Sequence, residues 1–452
     1  MAESPGVWAP ERRALTTGLV LTITLVAFEA LAVSTVMPEV QADLRGLAWY
    51  GWVFSGFFLG QLLGIVMAGH QADRRGPAAP FALGLAMFVV GLLIGGFAVS
   101  MPMLVLGRVV QGLGAGAIPA TAYVAVGRAY APELQPRVFA VFSTAWVVPG
   151  LIGPALSGAV AEAFSWRWVF LGLLPLVAVA GVMALPGLRA LAPAERSSEA
   201  PRYGTALAVT AGAGLVLGGI GSGNVALAVA LAVPGGVLAT RAFMRLVPVG
   251  TLRAAPGLPA AVAVRGILTF AFFGADAYVS LAFVDVRGTR PWVAGLALTA
   301  ATLAWTSGAW VQERRVRVAG PRRLVREGFA LLVVGIAGLG SVLFESVPIP
   351  VAIAVWGIGG LAMGLAYAPL SLTVLASAAR GEEGAAAASL QLSDVLGVAL
   401  GTGATGAAVA VADALDRDPR AALLVAFPVM AAVAVFGALV ARRLPEHLPD
   451  AR

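Results

Sequence analysis

The chain is predicted to be an all-α polytopic membrane protein, and three observations predict it. Charged residues make up 12% of its 452 residues, about half the roughly 25% of soluble domains. Apolar residues reach 59% with a mean hydropathy of +0.90, which leaves too little polar surface to cover a water-exposed globule. The apolar residues also gather into runs of about 20, the length a helix needs to cross a ~30 Å hydrocarbon core.

Six such runs occupy the first half, at roughly 15–37, 50–69, 78–99, 102–126, 137–160 and 167–188. A polar linker over 189–202, containing AERSSEAPR, follows them. Two shorter runs at roughly 204–221 and 225–240 are separated by Ser222, Gly223 and Asn224. Each is only just long enough to span, so either two full spans or a re-entrant hairpin fits the middle pair. Six further runs, at roughly 258–284, 291–311, 327–345, 348–375, 384–412 and 421–441, bring the expected total to 14.

All 30 basic residues are arginine, and they fall mainly in short loops. With the N-terminus inside, 22 lie on the cytoplasmic side and six outside, while Arg108 and Arg265 sit within apolar runs. Positive charge is retained on the cytoplasmic side, so both termini are expected there. The same loop distribution argues against nucleic-acid binding despite the net charge of +7. Arg12 and Arg13 precede the first run with no convincing cleavage site after it, so it reads as an uncleaved span.

Several chemistries are disfavoured. The chain has no cysteine, hence no disulfide framework or thiolate metal site, and His70 and His447 lie among charged residues outside the apolar runs. No metal and no cofactor is expected beyond a proton as coupling ion. GLGAG (112–116) lies inside a membrane span, where it cannot act as a phosphate loop, and no triad accompanies it. A transporter is expected, not an enzyme. Glycine is abundant at 56 residues, and Gly56, Gly60 and Gly64 form a double GxxxG face while Gly112, Gly114 and Gly116 crowd another helix. Small faces of this kind let helix backbones approach in lipid.

Three segments of the first half carry a family resemblance: GHQADRRGP (69–77), LGRVVQGLGAG (106–116) and PGLIGPALSG (149–158). They resemble the loop motif, the fourth-helix arginine motif and the antiporter Gly-Pro motif of the major facilitator superfamily. FEALAVSTVMPEVQADL (28–44) and WRWVFLGLLP (166–175) are similar to its 14-span drug:proton antiporter branch, with Glu29 nine positions before Pro38. The likeness is strongest over 15–175. Gln71, Pro77-Ala78 and Ser157 depart from the usual pattern, and QERRVRVAGPRRL (312–324) keeps basic residues without the aspartate.

The resemblance implies a major-facilitator fold of two six-helix bundles about a pseudo-two-fold axis, with an inserted helix pair. Residues 1–188 would form the N-terminal bundle, 189–202 the cytoplasmic linker, 203–257 the inserted pair and following loop, and 258–452 the C-terminal bundle and tail. It also implies a gating loop at Gly69, Asp73, Arg74 and Gly76, and a flexible fifth helix at Gly153, Pro154 and Gly158. A loop that merely enforces topology and a passive kink are the alternatives.

Charges within spans are the candidate coupling residues, because each costs about 2.5–3.5 kcal/mol near mid-membrane on insertion scales. Glu29 is read as a proton carrier or substrate counter-ion, against a structural hydrogen bond to a neighbouring helix. Arg108 cannot readily shed its proton and must be paired or hydrated, with Glu29 as its expected partner. Asp276 and Asp394 are the second and third carboxyls. Arg265 shares a helix face with Asp276 but lies too far along it for contact, and is expected to snorkel to the cytoplasmic interface. Glu162, Asp285, Glu345 and Asp413 fall at outer span ends. Trp52, Trp146, Trp305, Tyr278 and Trp356 suit a cavity or a lipid interface equally, and none is assigned to substrate.

The expected function is proton-coupled export of hydrophobic or amphipathic compounds by alternating access. A lipid exporter of the same fold and a proton-coupled importer of a specific metabolite are the alternatives. The expected partners are the lipid bilayer and a small substrate, with no nucleic acid, for a monomer in a bacterial inner (cell) membrane.

Overall fold

A computed structural model describes residues 6–130, 134, 138, 141–142, 145–191, 203–378 and 383–447, and among these every regular element is helical. The first helices are α1 (Pro10–Leu44), α2 (Tyr50–Arg75), α3 (Ala78–Gly96), α4 (Met101–Ala129) and α5 (Val147–Ala163). Helix α6 combines Arg167–Leu171 and Leu174–Arg189. The middle pair is α7 (Tyr203–Ile220) and α8 (Val225–Phe243). Helix α9 (Leu258–Asp276) continues through Val279–Leu281 into a π-helical turn, Ala282–Val286. The stretch Pro291–Gly340 breaks at Gly320, where φ is 73° and ψ 160°, and so comprises α10 (291–319) and α11 (321–340). Helices α12 (Ile349–Ser377), α13 (Glu383–Ala414) and α14 (Pro419–Val440) complete the chain.

Twelve helices among the described residues are long and apolar enough to cross a membrane, including both members of the middle pair. The expected spans at 137–160 and 291–311 fall outside that set for different reasons. Much of the first lies outside the described residues, and α5 covers its C-terminal part. The second is helical within α10, but Thr299, Thr302, Thr306 and Ser307 make it more polar. Of the expected linker, residues 192–202 lie outside the described set.

Glycine faces bring the helices together. On α2, a side chain at Gly60 or Gly64 would meet the carbonyls of Val109 and Leu113 on α4. In return, Gly112 and Gly116 face the carbonyls of Phe57 and Gln61, while Gly114 turns toward Gly84 and Phe88 on α3. Hydrocarbon supplies no hydrophobic drive between helices, so close backbone approach must supply van der Waals contact instead.

The first and last groups of helices meet along two seams. Gly51 on α2 lies against Gly406 on α13, and the Ser55 hydroxyl donates to the Ala399 carbonyl at 3.0 Å. Along the second seam, Gly158 and Pro154 on α5 pack on Trp292 and Gly295 of α10. The start of α2 therefore lies beside the end of α13, which puts Pro10 and Val440 at one face, here the terminal face. Both seams lie toward the opposite face. There Arg167 holds three helices, donating to Asp43 at 2.7 Å and to the Ala98 carbonyl at 3.2 Å. Arg287 clasps the turn before α12 through the carbonyls of Val342, Phe344 and Val347, at 2.8–2.9 Å.

Helix α7 reaches both groups: Gly218 faces Trp52 of α2, and Leu217 and Gly221 face Gly403 and Ala407 of α13. Helix α8 packs on α7 at Gly212, Gly219 and Gly235 and is otherwise mostly exposed. Replacing Gly112 by valine should lower the thermal unfolding temperature of the detergent-purified protein, by the equivalent of about 1–3 kcal/mol for an overpacked contact. Gly236→Ala, whose new methyl meets nothing closer than 3.9 Å, should not lower it.

Candidate functional site

The close approach of α2 and α4 positions a buried ion pair. Glu29 on α1 is 0% exposed and Arg108 on α4 is 2% exposed. The Arg108 Nη1 donates to Glu29 Oε1 and, at 3.0 Å, to Gln111 Oε1. Its Nε donates to the Val53 carbonyl on α2 at 3.1 Å, and the guanidinium lies 4.2 Å from the Phe57 ring centroid. Three helices thus converge on one cation. The expected Glu29–Arg108 pairing is present, while Glu29 Oε2 has no hydrogen-bond partner among the described residues. A carboxylate here neutralises the arginine. A protonated one would leave it to a carbonyl and an amide.

Asp276 and Asp394 lie apart from this pair and from each other. Asp276 Oδ1 accepts from the Trp356 indole at 3.2 Å, and Trp356 stacks on Phe272 with ring centroids 5.2 Å apart. Among the described residues no cation pairs with Asp276. Asp394 Oδ2 accepts from the Tyr367 hydroxyl at 2.8 Å, and its Oδ1 lies 3.9 Å from Arg265 Nε. Here the structure corrects the sequence reading, since Arg265 does not snorkel to the interface. It is 2% exposed, donates to the Ser371 hydroxyl and lies 3.3 Å over the Tyr367 ring. Asp394 on a neighbouring helix offers a counter-charge within reach, which the interface would only replace with water. Arg265 and Asp276 make no contact, as expected.

The loop motif is described in part. Helix α2 runs through Arg75 and ends at Gly76, where φ is +83°, a conformation glycine adopts without strain. Gly69 has open space where a side chain would stand, and Arg74 is exposed. The Asp73 side chain lies outside the described set. In the Gly-Pro motif, Gly153 faces Phe28, the neighbour of Glu29, and Pro154 and Gly158 form the seam with α10. Ser157 is absorbed by donating to the Pro154 carbonyl at 3.1 Å.

Sequence reasoning missed Gln111 and Tyr367, and named Trp356 without assigning it a role. Gln111 was accessible, because it stands three positions after Arg108 on a helix and so shares its face. Trp356 and Tyr367 carried no signal that set them apart from other membrane aromatics.

Apolar helices enclosing buried charges, in two groups that meet along two seams, define a multi-pass membrane transporter. The family model described as the Major Facilitator Superfamily matches residues 19–325, and the chain belongs to that family, whose members are transporters and not enzymes. A protein of Mycobacterium tuberculosis named "Probable multidrug-efflux transporter" is 28% identical over 463 residues, covering 97% of this chain and 96% of that protein. The multidrug transporter protein MdtP of Bacillus subtilis is 28% identical over 179 residues, 40% of this chain and 33% of its own. Among solved structures, an auto-inhibited POT family peptide transporter superposes with a TM-score of 0.71 at 16% identity, covering 97% of this chain and 98% of that one. A D-xylose–proton symporter gives 0.67 at 14% identity, covering 96% and 98%. At these identities the structures establish the fold alone.

Removing one partner of the buried pair strands the other. Arg108→Leu should therefore destabilise the detergent-purified protein by about 3–5 kcal/mol. Adding Glu29→Gln to that variant should recover part of the loss, read as a rise in thermal unfolding temperature over the single variant.

Proposed function

We propose that the protein exports hydrophobic or amphipathic compounds in exchange for protons, by alternating access between two helix bundles. The observation that carries this reading is the Glu29–Arg108 pair, fully buried and yet formed by side chains of two separate helices. Coupling requires a group whose proton and whose partner exclude one another, and a carboxylate clamped by a fixed cation meets that requirement. A proton arriving at Glu29 discharges the carboxylate and releases Arg108, which repositions α4 against α1 and α2. Asp276 and Asp394 supply further carboxyls along the same route. The multidrug-efflux names of the relatives support export over uptake.

On this reading the chain spans the membrane 14 times. Residues 1–188 form the first bundle, 189–202 a cytoplasmic linker, 203–257 the inserted pair and following loop, and 258–452 the second bundle and tail. The terminal face is cytoplasmic, supported by the 22-to-6 distribution of arginines. With both seams toward the opposite face, the arrangement is closed to the outside. The protein works as a monomer in a bacterial inner membrane, and Gly69, Asp73, Arg74 and Gly76 gate the cytoplasmic side, with Gly153, Pro154 and Gly158 flexing the fifth helix.

In liposomes with an imposed pH gradient, the wild type should show proton flux that depends on an added lipophilic cation, and Glu29→Gln should abolish it. Substrate movement that continues in both proteins without proton flux would reject antiport and favour facilitated or lipid transport.

A further inference from the structure

On the terminal face, the end of the chain crosses the break between α10 and α11. Gly320 has no room for a side chain there, because the Glu446 carbonyl passes over it. Arg322 holds the crossing segment twice, its Nε donating to the Leu444 carbonyl and its Nη1 to Glu446 Oε1, both at 2.6 Å. Beside the crossing lies an open cleft of about 610 Å³, whose walls include Arg322, Arg323, Arg326, Glu327, Ala330 and Glu446. None of these residues belongs to the buried ion pairs or to the seams.

Three properties of the cleft point to an anionic amphiphile. Its positive charge is not balanced. Glu327 is shared between Arg323, at 2.9 Å, and Arg315, at 3.0 Å, while Glu446 serves Arg322. Arg326 is exposed and has no ion-pair partner among the described residues. Arg322 and Arg323 also stand in the first turn of α11, where the positive end of the helix dipole favours an anion. The carboxylate on Arg322 is, moreover, weakly held. Glu446 is 71% exposed, and an ion pair open to water contributes little, so a phosphate can displace it. Finally, the cleft opens onto an apolar stripe. Arg326, Ala330, Val334 and Ala337 follow one another at helical spacing on α11, and all four are exposed. From Arg326 to Ala337 the stripe runs about 16 Å along the axis, close to half of a ~30 Å hydrocarbon core. That is the depth of one leaflet.

We propose that this cleft binds an anionic phospholipid in competition with Glu446, its phosphate on Arg322, Arg323 and Arg326 and an acyl chain along Ala330, Val334 and Ala337. Phosphate oxygens accept several N–H donors at once, and the fork of a guanidinium matches them in pairs. The stripe distinguishes a lipid from a free phosphate, because only a lipid carries a chain to lay on it. A zwitterionic headgroup brings its own cation beside the phosphate, and that charge would meet the unpaired Arg326. The cleft therefore selects headgroups of net negative charge. The tail is a built-in competitor, since the phosphate and the Glu446 carboxylate cannot both hold Arg322. Such binding needs neither a substrate nor a proton gradient, and it stands whether or not the protein exports.

The test uses the full chain, purified in detergent and stripped of lipid. Equilibrium binding is measured for dioctanoylphosphatidylglycerol and dioctanoylphosphatidylcholine, which share chains and phosphate and differ in net charge. The wild type should bind the phosphatidylglycerol at least about 5-fold more tightly. Arg326→Gln and Arg323→Gln should each weaken that binding about 3- to 10-fold, the yield of one cation at a membrane surface. Glu446→Gln should strengthen it about 2- to 5-fold, a change of opposite sign that a merely structural tail contact would not produce. Arg245→Gln removes an exposed arginine of the same face outside the cleft, and should change binding less than about twofold. Inorganic phosphate in large excess should displace little of the lipid. Thermal unfolding identifies any misfolded variant, and Arg323→Gln carries the test if Arg326→Gln does not fold. Equal binding of the two lipids, equal losses in Arg326→Gln and Arg245→Gln, or unchanged affinity in Glu446→Gln overturns the proposal. Full displacement by inorganic phosphate would assign the cleft to a soluble anion and overturn it as well.

Discussion

A guanidinium inside a bilayer cannot shed its proton, and the placement of Arg108 organises much of the first half of the molecule around that fact. The cation needs a carboxylate, a carbonyl and an amide at once, and these come from α1, α2 and α4 itself. The three helices can supply them only if their backbones nearly touch. That closeness is provided by Gly60 and Gly64 on one side and Gly112 and Gly116 on the other. The glycine pattern, the charge pair and the packing order are thus one requirement expressed three times.

The second half solves the same problem more loosely. Arg265 is as deeply buried as Arg108, yet its counter-charge lies 3.9 Å away, and the Tyr367 ring and the Ser371 hydroxyl provide the rest of its surroundings. Two of its nitrogens have no hydrogen-bond partner among the described residues. A tight centre on one side and a slack one on the other make the two groups unequal partners. The groups share a different device at the opposite face, where Arg167 and Arg287 each bind backbone carbonyls and tie helix ends together.

Much of this architecture was legible because hydrocarbon imposes strict terms on sequence. Apolar run lengths located the helices, and two lone opposite charges in first-half spans identified each other as partners. The run at 291–311 reads as a span although threonines and a serine lower its hydropathy, and the segment is helical. Arg265 was misread because its position near a span end permits two outcomes. Depth along a helix says whether a side chain can reach water, but not whether a closer carboxylate on a distant part of the chain has claimed it. The partnership of Trp356 with Asp276 was illegible for a related reason, since both aromatic cores and lipid interfaces draw on the same residue types.

The contact of Gly51 with Gly406 bears on how fast such a molecule can work. A seal made by interlocking large side chains must be unpicked contact by contact, and the barrier to opening grows with the number of atoms withdrawn. Two bare backbones can exclude solvent while engaging few atoms. A closure of that kind is narrow and shallow. In the proposed cycle, parting Gly51 from Gly406 would therefore withdraw few atoms from contact.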